Sequence, residues 1–107
     1  MKTPMFASIL KYNEAPTFVD ELVKRQDEIK SILRPIRGFH AHFLIKTDNG
    51  VTAVTVCDDR AGVDESNRVS AGWLKDKLPT FATKAPEVTT GEVRLYLNSN
   101  QPEKVAV

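Results

Sequence analysis

Two histidines, one cysteine, an asparagine and an Arg/Tyr pair are the residues of this 107-residue chain whose types and spacing could do chemistry. His40 and His42 stand two apart in Phe39-His40-Ala41-His42-Phe43, a spacing that puts both rings on one face of an extended strand. Such a pair can ligate a metal, but zinc wants further His, Cys or carboxylate ligands, and only Cys57 is at hand across the hairpin read below. The same pair can serve as acid/base groups of a pocket near neutral pH, or pack with hydrogen bonds at an interface. We expect no metal. A Cys57 nucleophile beside His42 lacks an orienting third group and an oxyanion loop.

Asn67 falls within an apolar helical stripe, where an unpaired amide would cost ~1–3 kcal/mol. It is either a structural amide bonded to a strand or a buried water, or a pocket residue holding a carbonyl, phenol or dioxygen-derived group. Arg94 and Tyr96 alternate onto one strand face and suit an anionic or phenolic ligand, or a cross-subunit contact. Asn67, His40, His42, Arg94 and Tyr96 are thus the candidate ligand-binding residues, with no catalytic residue assigned. The sequence has no phosphate-binding loop, dinucleotide fingerprint or HExxH motif, and we expect no cofactor.

The elements that must position these residues follow from periodicity. Residues 4–12 are rich in apolar and β-tolerant types and read as a strand closed by Asn13-Glu14-Ala15-Pro16. A helix follows, with Thr17 as its cap and Asp20 three residues on. Phe18, Val19, Leu22, Ile29, Leu33 and Ile36 make its stripe, Pro35 limits it, and Gly38 suits the position past its end. Residues 38–47 and 51–58 alternate as strands around Asp48-Asn49-Gly50, a strong hairpin signal. With Asn49-Gly50 as the two-residue loop, odd positions oppose even ones and His42 faces Cys57. A second helix spans 61–78, its stripe being Val63, Asn67, Ala71, Leu74 and Leu78 with Trp73 on the flank. A last strand spans 88–98. The order βαββαβ predicts an α+β, ferredoxin-like antiparallel sheet with both helices on one face.

Length, composition and charge agree with a single domain over residues 1–98, followed by a flexible tail at 99–107. A net charge of +1 argues against a nucleic-acid partner. One cysteine precludes an intrachain disulfide, and no apolar run is long enough to span a membrane, so we expect a cytoplasmic protein. Alternation predicts Phe39, Phe43, Ile45, Val54, Val56, Val93, Leu95 and Leu97 as the floor beneath the helices. The opposite face, with His40, His42, Leu44, Ala53, Thr55, Cys57, Arg94 and Tyr96, mixes polar and apolar groups. Such a face suits stacking against a second copy, and we expect a homodimer through it.

The βαββαβ order, the Arg37-Gly38-Phe39 entry to the second strand and the run Asp58-Asp59-Arg60-Ala61-Gly62-Val63-Asp64-Glu65-Ser66-Asn67 together carry a resemblance. Over residues 5–98 the chain resembles the dimeric α+β barrel superfamily, which includes antibiotic-biosynthesis-monooxygenase-like proteins. The resemblance implies a dimer and a pocket between helices and sheet. In oxygenase-like members a helix asparagine and a tryptophan one turn later help line that pocket. Asn67 matches the first, while Ala71 stands where the second would be. Haem-degrading members use a histidine after this helix, and none occurs here beyond His42.

The resulting expectation is a homodimer with a pocket for a hydrophobic small molecule. If catalytic, it is of the cofactor-independent oxygenase or isomerase type, with Asn67 positioning substrate and a histidine or Tyr96 moving protons. The alternative is a non-catalytic binding or interaction module of the same fold.

Overall fold

The computed structural model describes residues 4–14, 16–81, 84–97 and 99. Apart from Ser99, the tail expected at 99–107 lies outside the described residues. Strand β1 (Phe6–Asn13) leads into helices α1 (Thr17–Lys24) and α2 (Gln26–Leu33), then β2 (Phe39–Thr47) and β3 (Gly50–Cys57). Helix α3 (Arg60–Lys77), a single 3₁₀ turn (Pro79–Phe81) and β4 (Glu87–Glu92) complete the order. The strands form one antiparallel sheet, β2-β3-β1-β4, with the helices against one face. This is the ferredoxin-like α+β arrangement that the periodicity predicts.

The first helical segment is two helices rather than one. Arg25, at φ −104° and ψ 24°, leaves the helical region and separates α1 from α2. Thr17 is already helical and caps nothing; Pro16 precedes it, its fixed φ of −56° compatible with a helix start. Helix α3 has the better signal, for the Asp59 carboxylate accepts from the Gly62 amide at 2.9 Å.

The hairpin keeps the expected parity with a register shifted by two residues. Thr47 pairs with Gly50, so the loop is Asp48-Asn49, and His42 lies opposite Thr55 rather than Cys57. Gly50 takes φ +150° because β1 leaves no room for a side chain: a Cβ there would sit 2.0 Å from the Tyr12 carbonyl oxygen. A bulge between Phe39 and Ala41 brings Phe39 opposite Cys57.

The helices cover the face opposite to the expected one. Leu10, Tyr12, Val51 and Ala53 are buried beneath them, with Leu44 packed alongside. Phe43 (54% exposed) and Ile45 (48% exposed) lie on the bare side. The covered side carries more small and polar groups, yet these admit the helices closely. Gly62 of α3 approaches so near that an added Cβ would meet the Cys57 Cβ at 2.7 Å. The core proper centres on Phe18, fully buried, edge-on to Tyr12 at 5.4 Å and stacked on Phe81 at 4.8 Å. Burying such a ring contributes about 1.5–3 kcal/mol.

Two further expectations are corrected. In α3, Ala71 is exposed and Trp73 is buried with Leu74 against the core, so the helix is rotated relative to its hydropathy stripe. Regular pairing of the last strand ends at Glu92. Val93 still donates its amide to the Met5 carbonyl at 2.8 Å, but Leu95 and Leu97 run past the end of β1 and are exposed.

Candidate functional site

Directly paired residues of an antiparallel sheet share a face, so the register sorts the covered side into rows. Thr90, Ser8, Thr55 and His42 form one row across all four strands. Beside it, Val88, Leu10, Ala53 and Leu44 form another, so a polar line runs under the helices next to an apolar one. Ser8 is fully buried and Thr55 nearly so. Each has a side-chain partner: Ser8 Oγ donates to Asn67 Oδ1 at 3.0 Å, and Thr55 Oγ1 lies 2.9 Å from His42 Nδ1. No fully buried side-chain polar atom among the described residues lacks a partner.

Where this line reaches β2 the fold opens. A cleft of about 370 Å³ lies between α2 and β2, with Ile29 and Leu33 on the helix side, Phe39 and Leu44 on the strand side, and His42 in its wall. That volume is at the small end of the range for organic ligands. Behind it a chamber of about 40 Å³ is bounded by Tyr12, Phe18, Trp73 and Leu74. The chamber suits waters or a diatomic molecule rather than an organic body, since one water needs roughly 10–15 Å³. His42, Leu44 and Ile29 border both spaces.

Among the described residues His42 is the titratable group that borders both spaces. Its burial disfavours the imidazolium and lowers its pKa from the ordinary 6.5, so the ring is neutral at pH 7. With Nδ1 engaged by Thr55, Nε2 has no protein partner among the described residues. A neutral ring held this way offers a donor or an acceptor at Nε2, according to tautomer, and can relay a proton to a bound molecule. Burial also pushes the Tyr12 phenol up to about 12, which keeps it a hydroxyl at the chamber wall. Cys57 is fully buried, and desolvation, then Asp59 and Asp58, raise its pKa; it is a packing thiol rather than a nucleophile.

The expected site residues do not gather in one place. Only His42 borders the cleft. His40 is exposed at the bulge, its Nε2 2.5 Å from Asp58 Oδ1, and does not share the His42 environment. Asn67 bonds Ser8 and borders neither space. Arg94 is exposed and pairs with Glu92 at 3.1 Å, while Tyr96 lies past β4. Among the described residues no cluster of His, Cys, Asp and Glu has metal-binding geometry. No described helix is long and apolar enough to cross a membrane. Trp73, which the periodicity sets on the helix flank as a packing aromatic, and Tyr12, at the end of its strand, both wall the chamber, and nothing in the pattern marks that cavity.

The architecture is that of the antibiotic-biosynthesis-monooxygenase-like proteins, the α+β ferredoxin-like fold that the sequence resembles. A putative antibiotic biosynthesis monooxygenase from Bordetella bronchiseptica superposes with a TM-score of 0.65 at 14% identity, over 82% of this chain and 95% of that one. The ActVA-Orf6 monooxygenase of Streptomyces coelicolor, solved in complex with nanaomycin D, gives 0.63 at 14% identity over 90% and 92%. The haem-degrading protein Rv3592 of Mycobacterium tuberculosis gives 0.58 at 17% identity over 91% and 99%. At these identities what is common is the fold. No protein-family model and no curated protein sequence matches the chain.

Proposed function

We propose that the protein is a homodimer in which each protomer binds a hydrophobic small molecule in the α2/β2 cleft, with His42 as the polar contact. The observation that carries this reading is a cleft in which the apolar side chains of Ile29, Leu33, Phe39 and Leu44 meet a neutral imidazole whose Nε2 has no protein partner among the described residues. If the bound molecule reacts, the chemistry is of the cofactor-independent oxygenase or isomerase kind. His42 would take a proton from an acidic C–H or O–H, and the small chamber behind it would receive a water or dioxygen. The Bordetella and Streptomyces neighbours, described as monooxygenases, support that class by analogy.

The bare side of the sheet supports the homodimer. Phe43, Ile45, Val54 and Ile9 lie there with no helix over them. Stacked on a twofold mate, this patch would cover itself, in keeping with the resemblance to dimeric α+β barrels. The side that the sequence offered for a dimer lies under the helices, so the proposed contact uses the opposite side of the sheet.

The test is a calorimetric titration of the full chain with 2-naphthol, in parallel for His42→Ala. Binding that weakens about tenfold or more in the variant supports the reading, since a hydrogen bond to a buried partner contributes on that order. Absence of binding to the wild type, or equal binding to a folded variant, overturns it.

A further inference from the structure

The outer rim of the cleft is charged on one side only. Lys30 and Arg34 stand four residues apart at the end of α2, so their side chains rise from the same helix face, and both line the cleft. Two like charges at this spacing repel unless an anion lies between them. The protein supplies little to relieve that. Among the described residues Arg34 has no carboxylate within 4.0 Å, and Lys30 reaches only Asp27, at 3.9 Å, whose side chain is 96% exposed. Among the described residues no Asp or Glu lines the cleft. The end of a helix favours a cation through its dipole, and one cation satisfies that preference. It does not call for a second cation overhanging an apolar cleft.

The chain as a whole is balanced, with 15 basic against 14 acidic residues, so this rim is a local asymmetry. Ile29 and Leu33 descend from the same helix into the apolar part of the cleft, facing Phe39 and Leu44 on β2. The arrangement is amphipathic: a flat apolar body fits between helix and strand, and an anionic group projects to the rim. An Arg guanidinium takes a carboxylate in bidentate fashion, while Lys adds a point charge.

From this we infer that the ligand of the cleft is a planar organic acid, its apolar body between α2 and β2 and its carboxylate held by Arg34 and Lys30. The inference rests on the reading of the cleft as a ligand site and adds the chemical class of ligand. His42 lines the same cleft, so in this reading the two cations take the acid group and the imidazole is left to the rest of the ligand.

The experiment compares 2-naphthoate with 2-naphthol, bodies of the same size that differ in charge. Each is titrated into the full-length wild type and into Arg34→Gln, Lys30→Gln and the double variant. Gln is a good helix former and keeps an amide at the rim, and unchanged thermal melting checks the fold. The wild type is expected to bind 2-naphthoate at least tenfold more tightly than 2-naphthol, with the preference falling as salt is raised. In the double variant the preference collapses to near unity through loss of naphthoate affinity, while naphthol affinity stays the same. Equal binding of the two compounds by the wild type overturns the organic-acid inference and leaves the cleft a neutral-ligand site. A naphthoate preference that survives in the double variant overturns the role of Arg34 and Lys30. Binding of neither compound overturns the cleft as a site for such aromatic ligands, and the inference with it.

Discussion

Ser8 Oγ donates to Asn67 Oδ1 at 3.0 Å, a bond between residues 59 apart that ties the first strand to the long helix. Its geometry assigns the stripe asparagine a partner within the fold. Removing the Ser8 hydroxyl leaves the Asn67 carbonyl oxygen without this donor, and Ser8→Ala should cost about 1–3 kcal/mol in urea unfolding. A double-mutant cycle with Asn67→Ala should return a coupling of about 0.5–1.5 kcal/mol. Ligand titrations should be unaffected in Asn67→Leu, since Asn67 borders neither the cleft nor the chamber. Loss of ligand binding by a folded Asn67→Leu protein would return this residue to the site.

The row that ends in His42 makes stability depend on pH. Burial lowers the folded-state pKa of His42 below 6.5, so beneath that pH the unfolded chain takes up a proton that the folded chain resists. This contribution is complete above the unfolded pKa and is lost as pH falls through it toward the depressed folded value. Chemical unfolding at pH 7.5 and 5.5 should therefore show the wild type weaker at the lower pH. His42→Gln should flatten the difference. The window lies above the carboxylate range of roughly 3.9–4.3, which keeps Asp and Glu titration out of the comparison. An identical pH slope in the variant would mean that another group is responsible.

How much of this was legible in the sequence differs by level. The βαββαβ arrangement and the odd-to-even hairpin parity follow from periodicity, and both hold except that the first helical segment is broken in two. Periodicity is silent on which side of the sheet the helices take when both sides are apolar enough. Phe43, Ile45 and Val54 look more like a floor than Ser8, Thr55 and His42 do. What decides the matter is pairwise: Ser8 with Asn67, Thr55 with His42 and Gly62 against Cys57 make the polar side coverable. Ser8 and Asn67 are 59 residues apart and His42 and Thr55 are 13 apart, so neither polar pair shows in a local pattern. The cleft was hidden for a related reason. It depends on α2 separating from α1 at Arg25 and standing off β2, and a charged residue in a helical pattern gives no sign of such a break.

Two glycines of α3 should respond to one substitution with opposite signs. At Gly72 an added methyl meets nothing within 4 Å, so Gly72→Ala gains helix propensity and should stabilise by roughly 0.5–1 kcal/mol. At Gly62 the same methyl falls 2.7 Å from the Cys57 Cβ and 3.3 Å from the Arg37 carbonyl oxygen. The helix would have to lift from β3, at a cost of about 1–3 kcal/mol that exceeds the propensity gain. Thermal denaturation of the two variants side by side reads the contrast. A stabilised Gly62→Ala protein would show that α3 does not sit as close to β3 as the packing of Gly62 requires.

The bare side of the sheet gives the sharpest test of assembly. Phe43 and Ile45 are about half exposed and stand next to Val54 across the hairpin, while neither α1, α2 nor α3 reaches them. If two copies stack there, a charge introduced on this patch is taken out of water without a partner, and desolvation opposes assembly. Phe43→Lys should therefore convert a species of twice 11.9 kDa into one of 11.9 kDa by sedimentation. The monomer itself should remain folded, because the lysine then points into water and no core contact is lost. Far-ultraviolet circular dichroism of the variant should match the wild type. A wild type that sediments as a monomer would remove the stacked dimer, and a dimer that survives Phe43→Lys would move the interface elsewhere, with the exposed Leu95 and Leu97 beyond β4 as the next apolar surface to alter.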